Sequence, residues 1–65
     1  MSSAFPIRDS LAPGMKVAIV EKQNQATGEE SSGTIERVLT HSPSHPYGIK
    51  VMLTDGRVGR VKRIA

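Results

Sequence analysis

Alternation of residue types over positions 49–54 constrains this chain more than any other feature. Every second residue in this segment is Ile, Val or Leu, which is typical of a strand with one buried face. Asp55-Gly56 follows at once, and this dipeptide predicts a two-residue type I′ turn with positive φ at both central residues. Since another β-rich segment begins at residue 57, the C-terminal part of the chain is predicted to be a β-hairpin.

Two further segments have β character upstream of this hairpin. Residues 15–22 are rich in β-branched types, and residues 34–40 follow a glycine. Ile35 and Val38 do not share a face in a regular strand, so we expect a bulge there or a fully buried strand end. Gly59 interrupts the last segment and predicts a bulge, a bend or a short 3-10 turn.

No segment has sustained helical periodicity, and glycines and prolines separate the β-rich segments at short intervals. A hairpin is not stable in isolation, so the strands must close on one another. Four to five short antiparallel strands predict a small all-β barrel over residues 11–65, preceded by a flexible N-terminal arm at residues 1–10. The predicted core is Leu11, Met15, Val17, Ile19, Ile35, Val38, Leu39, Ile49, Val51, Leu53, Val58, Val61 and Ile64.

The size of the chain limits its means of stabilisation. A chain of 65 residues holds one domain with a thin core. It has no cysteine, which excludes disulfides and a cysteine-bound zinc and fits a reducing compartment. The first residues lack the apolar run of a signal peptide, and no stretch reaches the roughly 20 apolar residues that span a bilayer. We expect a cytoplasmic monomer with no membrane attachment.

Two families resemble parts of this sequence. The KOW motif, which occurs in SH3-like barrels of ribosomal proteins and transcription factors, is similar to PGMKVAIV at residues 13–20 and GTIERV at residues 33–38. The YwbE-like family of small bacterial and archaeal proteins is similar over about residues 11–64, notably in the strings SPSHP, GIKV and DGRVGRV. These resemblances imply an SH3-like, KOW-like barrel and a non-enzymatic role, and they leave the ligand open.

Basic residues are concentrated near the C-terminus. Residues 50–65 contain five basic side chains and one acidic one, a net charge of +4, whereas residues 1–49 carry a net charge of −1. A one-sided positive field favours RNA, DNA or a ribonucleoprotein as partner, and a solubilising face is the alternative. The candidate nucleic-acid-binding residues are Lys16, Lys50, Arg57, Arg60, Lys62 and Arg63, with His45 and Tyr47 as flat surfaces for a base.

The class of partner is not settled by charge. Aromatic residues make up 3% of the chain, fewer than in RNA-binding sheets that stack several bases, so we expect contacts mainly with the phosphate backbone. A protein-interaction module is the alternative. It would use the proline-rich loop at residues 41–48 and the polar loop at residues 23–32, or an exposed strand edge.

The sequence offers no candidate catalytic or metal site. Glu29 and Glu30 are adjacent carboxylates in a polar loop, which does not hold them at the fixed separation that acid–base catalysis needs. His41 and His45 are too few for a structural zinc site with four ligands. We expect His45 to brace its loop through its ring nitrogens. Neither an enzyme nor a cofactor-binding protein is predicted.

Overall fold

A computed structural model describes residues 5–65. Its strands are β1 (Lys16–Glu21), β2 (Ser31–Val38), β3 (Lys50–Leu53) and β4 (Val58–Ile64), and short 3-10 turns span Arg8–Ser10 and Lys22–Asn24. The strands pair antiparallel in chain order, and β4 also pairs with β1, which closes the barrel. This confirms the predicted all-β, SH3-like barrel. Residues 5–65 contain no helix with the length and apolarity needed to cross a bilayer.

The second strand bends between two partners. The first half of β2 pairs with β1, and its second half pairs with β3. The register with β3 shifts between Ile35 and Arg37, which leaves Glu36 as an extra residue on β2. An extra residue of this kind increases the local bend of a strand. The break in phase that the sequence indicated is therefore confirmed as a bulge.

Aliphatic side chains from all four strands fill the barrel. Met15 and Val38 are partly buried against this core. Each fully buried side chain of this type contributes about 1.5–3 kcal/mol before conformational entropy is subtracted. Eight residues of the predicted core are buried inside the barrel: Leu11, Val17, Ile19, Ile35, Ile49, Val51, Leu53 and Val61.

Three residues of the predicted core lie outside it. Leu39 and Val58 are half-buried, and Ile64 is 46% exposed. Ile64 occupies the last pair of the β1–β4 ladder, where β4 leaves the barrel. Ala18 and Val20, which were not expected in the core, are buried on the other face of β1.

The β3–β4 hairpin has a three-residue loop, so the predicted type I′ turn is wrong. The N–H of Gly56 donates to the carbonyl of Leu53 at 2.9 Å, and the N–H of Leu53 donates to the carbonyl of Arg57 at 2.7 Å. Gly56 has a φ of 92°, but no non-glycine residue within 5–65 has a positive φ, so Asp55 does not meet the type I′ requirement. Asp55 instead accepts hydrogen bonds from the backbone N–H of Arg57 at 3.1 Å and from its Nε at 2.7 Å.

Gly59 lies within β4 and is not the site of the predicted bulge or bend. The register between β1 and β4 shifts further along the strand, with Lys62 as the extra residue. Gly59 serves close packing instead, because a Cβ atom there would lie 2.7 Å from the carbonyl oxygen of Val20. The missing side chain lets β4 approach β1 and close the barrel.

The described part of the N-terminal arm lies against the loop that precedes β3. The backbone N–H of Arg8 donates to the carbonyl of Pro43 at 2.8 Å, and its Nε donates to the carbonyl of Thr40 at 2.9 Å. Residues 1–4 of the predicted arm lie outside the described residues. These two bonds connect the arm to residues 40–43, where the 41–48 loop begins.

Replacement of Gly56 by valine is expected to destabilise the barrel, because a β-branched side chain resists the positive φ that closes this loop. The strain costs about 1–3 kcal/mol, and Tm falls by about 4–8 °C for each kcal/mol in a domain of this size. Thermal unfolding followed by circular dichroism measures the change. Gly56→Asn is the control, since asparagine tolerates this conformation. Equal Tm values for the two variants would contradict the assigned turn.

The Asp55 carboxylate is expected to stabilise the hairpin except at acidic pH. The backbone N–H of Arg57, followed by its side chain, holds the pKa of Asp55 below the ordinary value of 3.8. A group with a lowered folded pKa contributes stability above its unfolded pKa and loses it as the pH falls through the folded pKa. Asp55→Asn should therefore be less stable than the wild type at neutral pH, and the difference should shrink below about pH 4. Urea unfolding across this pH range tests the prediction, and a constant difference would refute it.

Candidate nucleic-acid interface

Two basic residues face each other across the ladder between β3 and β4. Lys50 lies directly opposite Arg60, so the two side chains leave the barrel on the same face. Lys50 is exposed and Arg60 is half-buried. Like charges directly opposite each other on adjacent strands destabilise a sheet. Neither of the ion pairs within residues 5–65 includes Lys50 or Arg60, so no salt bridge offsets their repulsion.

A cleft of about 390 Å³ lies beside this pair of cations. Lys22 reaches it from the 3-10 turn that follows β1, so basic side chains from three separate elements converge there. The described residues that line the cleft include no carboxylate. They are Lys22, Gln25, Lys50, Val58, Gly59 and Arg60.

A tight turn from His45 to Gly48 holds Tyr47 away from the barrel. The N–H of Gly48 donates to the carbonyl of His45 at 3.0 Å, and Pro46 suits the second position of the turn through its fixed φ. Gly48 has a φ of 100°, and a Cβ atom there would clash with the carbonyl oxygen of Val61. Only glycine therefore lets the turn lie this close to β4. Tyr47, at the third position, is 69% exposed.

Two basic side chains of β4 fix this turn. Lys62 donates from Nζ to the carbonyl of Tyr47 at 2.6 Å, and Arg60 donates from Nη1 to the carbonyl of Gly48 at 3.2 Å. The Nζ atom of Lys62 also lies 4.3 Å from the centre of the Phe5 ring, in a cation–π contact. An ammonium has three donors and a guanidinium has five, so both cations keep donors for a ligand.

A second cleft of about 310 Å³ adjoins the first, since Gln25 lines both. Its other lining residues are Val20, Gly28, Tyr47 and Lys62. Val20 is an apolar residue with 3% exposure, and Gln25 supplies an amide. We refer to the combined surface as the basic face. It consists of Lys22, Gln25, Tyr47, Lys50, Arg60 and Lys62.

Three of the predicted binding residues lie away from the basic face. Arg63 pairs with Glu30 at 2.9 Å. Arg57 pairs with Asp55 and donates from Nη2 to a carbonyl of β2, so its side chain contacts the hairpin loop and β2. Lys16 is at the start of β1, whereas the basic face adjoins the end of that strand. The structure brings together Lys50, Arg60, Lys62 and Tyr47 from the predicted set.

Two residues of the basic face, Lys22 and Gln25, were not predicted. Lys22 was expected at the end of the first strand and Gln25 in the polar loop at residues 23–32, whereas Lys22–Asn24 forms a 3-10 turn. The position of Lys22 in the sequence could have predicted its place on the basic face. Lys22 follows β1 directly, and a residue at the end of β1 must lie near the strand that closes the barrel, here through the pairing of Glu21 with Gly59.

His45 braces its loop, as the sequence indicated. Its Nδ1 accepts a hydrogen bond from the N–H of Tyr47 at 3.1 Å. The two rings lie 5.8 Å apart between centroids, at an angle of 51°. Among residues 5–65 there is no group of three or more side chains able to hold a metal ion. The hydrogen bond from Tyr47 to His45 helps to position Tyr47 on the basic face.

Comparisons with known proteins agree with the resemblance found in the sequence. Residues 4–64 match the family described as Uncharacterized conserved protein (DUF2196). The chain is 49% identical over 57 residues to Uncharacterized protein YwbE of Bacillus subtilis (strain 168), and the match covers 88% of each chain. No solved structure matches the chain. The chain therefore belongs to the DUF2196 family of uncharacterised conserved proteins and is YwbE-like.

Proposed function

We propose that this protein is a non-enzymatic module that binds nucleic acid through its basic face. The observation that carries the proposal is the Lys50–Arg60 pair, two like charges opposite each other on adjacent strands. Such a pair costs stability in the unbound protein. A polyanion lying across it would replace repulsion by attraction, and its condensed counterions would be released.

The distribution of ion pairs supports directed binding over a merely solubilising surface. A solubilising surface intersperses charges of both signs. Outside the basic face, Arg57 and Arg63 each pair with a carboxylate, whereas Arg8, Lys16 and Arg37 belong to neither ion pair of residues 5–65. On the basic face, the described residues that line the two clefts include four cations and no carboxylate. The support for directed binding is that these four cations line two adjoining concave sites without a carboxylate among them.

The side chains of the basic face suit phosphate contacts. Among residues 5–65, the ammonium groups of Lys22 and Lys50 have neither a hydrogen-bond acceptor nor an ion-pair partner, so both can reach a ligand. Contacts of lysine and arginine with phosphates position a nucleic acid and carry little sequence information. The resemblance of residues 13–20 and 33–38 to the KOW motif of ribosomal proteins and transcription factors supports the same class of partner.

A binding role fits these clefts better than catalysis. Their described lining residues include no carboxylate, histidine or cysteine, the side chains that most often act as general acid, general base or nucleophile. We therefore propose that the protein has no catalytic activity of its own and acts by holding its partner.

A protein partner at the 41–48 loop is the second candidate, favoured by the 69% exposure of Tyr47. Addition of a partner strand is the less suitable mode, because each strand of the closed barrel already has two neighbours. A partner of this kind would bind through side chains of the loop. In a pull-down with this protein, a direct protein partner would still be recovered after nuclease treatment, whereas a partner recruited through RNA would be lost.

The salt dependence of RNA binding tests the main proposal. Fluorescence anisotropy with a labelled single-stranded RNA and a labelled DNA duplex measures affinity at about 50 and 200 mM salt. Contact between four cations and four phosphates of a single strand predicts a log–log slope of about −2.8, or about a 50-fold loss of affinity over this range. No detectable binding to either nucleic acid at the lower salt concentration would contradict the proposal.

Lys50→Glu and Lys16→Glu form a matched pair of variants. Each replaces an exposed strand lysine and lowers the net charge of +3 by two units, but only Lys50 is on the basic face. Lys50→Glu should weaken binding about tenfold or more and make the salt slope shallower by about one unit. Lys16→Glu should change affinity less than about threefold, through long-range electrostatics that salt screens. Equal losses in the two variants would show that net charge, and not the basic face, determines binding.

A further inference from the structure

Tyr47 combines an exposed ring with a fixed backbone. It is the most exposed of the large hydrophobic residues within 5–65. Its N–H donates to Nδ1 of His45 at 3.1 Å, and its carbonyl accepts from Nζ of Lys62 at 2.6 Å. Binding to such a residue needs to immobilise only the ring, because the backbone is already ordered. Tyr47 is therefore a preorganised aromatic platform.

The cleft beside Tyr47 has the mixed character of a site for a flat, polar-edged ring. Tyr47 contributes an exposed aromatic ring, and the nearly buried Val20 is the apolar residue that lines the cleft. The amide of Gln25 can both donate and accept hydrogen bonds. A nucleobase presents a π face on each side and donors and acceptors around its edge. The chemistry of the cleft matches that of a nucleobase at both the face and the edge.

Sites for phosphates adjoin this cleft. Lys62 lines the cleft itself, and Gln25 connects it to the cleft that contains Lys50 and Arg60. In a nucleic acid, each base is joined to a charged backbone, so a site for a base is useful only beside a site for phosphate. The basic face has both, in contact with each other.

We infer that the basic face selects single-stranded nucleic acid, with one unstacked base resting on Tyr47 and its edge near Gln25, while the backbone crosses Lys50 and Arg60. This inference rests on the proposed function. A duplex keeps its bases stacked and paired, so it can offer this surface phosphates alone. Every base has a π face, so the protein tolerates any base at this site.

Intrinsic fluorescence reports on the site directly, because the chain has one tyrosine and no tryptophan. A single-stranded DNA oligonucleotide should quench the emission of Tyr47 as it binds, since the base stacks on the ring. An abasic oligonucleotide of the same length, with phosphates and sugars but no bases, should bind more weakly and leave the emission unchanged. A DNA duplex should likewise bind without quenching.

Replacement of Tyr47 gives an independent test. Tyr47→Ala should weaken binding of the single strand by about fivefold to 150-fold, the range expected for loss of one stacked base. It should leave duplex and abasic affinities within about twofold, and these affinities also show that the variant is folded. Tyr47→Trp should retain single-strand affinity. His41→Ala, an exposed position in the same loop, is the control and should bind like the wild type.

The outcomes separate the inference from the proposal on which it rests. Absence of binding to single strand, duplex and abasic strand at about 50 mM salt overturns both. Equal affinity of the wild type for all three, or a Tyr47→Ala variant that loses nothing with the single strand, overturns the inference and leaves the proposed function standing.

Discussion

The pairing of β4 with β1 is the interaction on which the rest of the structure depends. In a domain of 65 residues without cysteine, the hydrophobic core is the main source of stability, and it is sealed only when the first and last strands meet. Gly59 allows β4 to pair closely with β1, because any side chain at this position would collide with the carbonyl oxygen of Val20. Val61, fully buried two residues later, then completes the core.

The same strand also forms the candidate interface. Gly59 and Val61 face the barrel interior, whereas Arg60 and Lys62 hold the turn that presents Tyr47. Closure of the barrel brings these cations beside the segment that follows β1 and supplies Lys22. The proposed binding surface is therefore a consequence of barrel closure, and it is assembled from parts of the chain that are distant in sequence.

Local sequence patterns predicted the features that depend on the alternation of residues along a strand or on the chemistry of a single loop. They identified eight of the ten buried hydrophobic residues within 5–65, the bulge in β2 and the bracing role of His45, since each of these follows from strand periodicity or loop chemistry. They did not predict the hairpin loop length, because the Asp55-Gly56 dipeptide favours a two-residue turn, whereas the loop has three residues and the Asp55 side chain accepts a hydrogen bond from Arg57. Nor could they separate paired from unpaired cations: Arg63 is neutralised by Glu30 from a distant loop, a contact that only the three-dimensional fold creates.

A backbone chemical-shift map of the protein with added single-stranded RNA tests the central claim most directly. The expected result is that the amides with shifted resonances cluster in residues 20–28, 45–50 and 58–62, the segments that form the basic face, and that the amide resonances around Lys16 and in the 54–56 loop do not shift. Shifts confined to the opposite end of the barrel, or spread evenly over its surface, would show that nucleic acid does not bind where the unpaired cations converge.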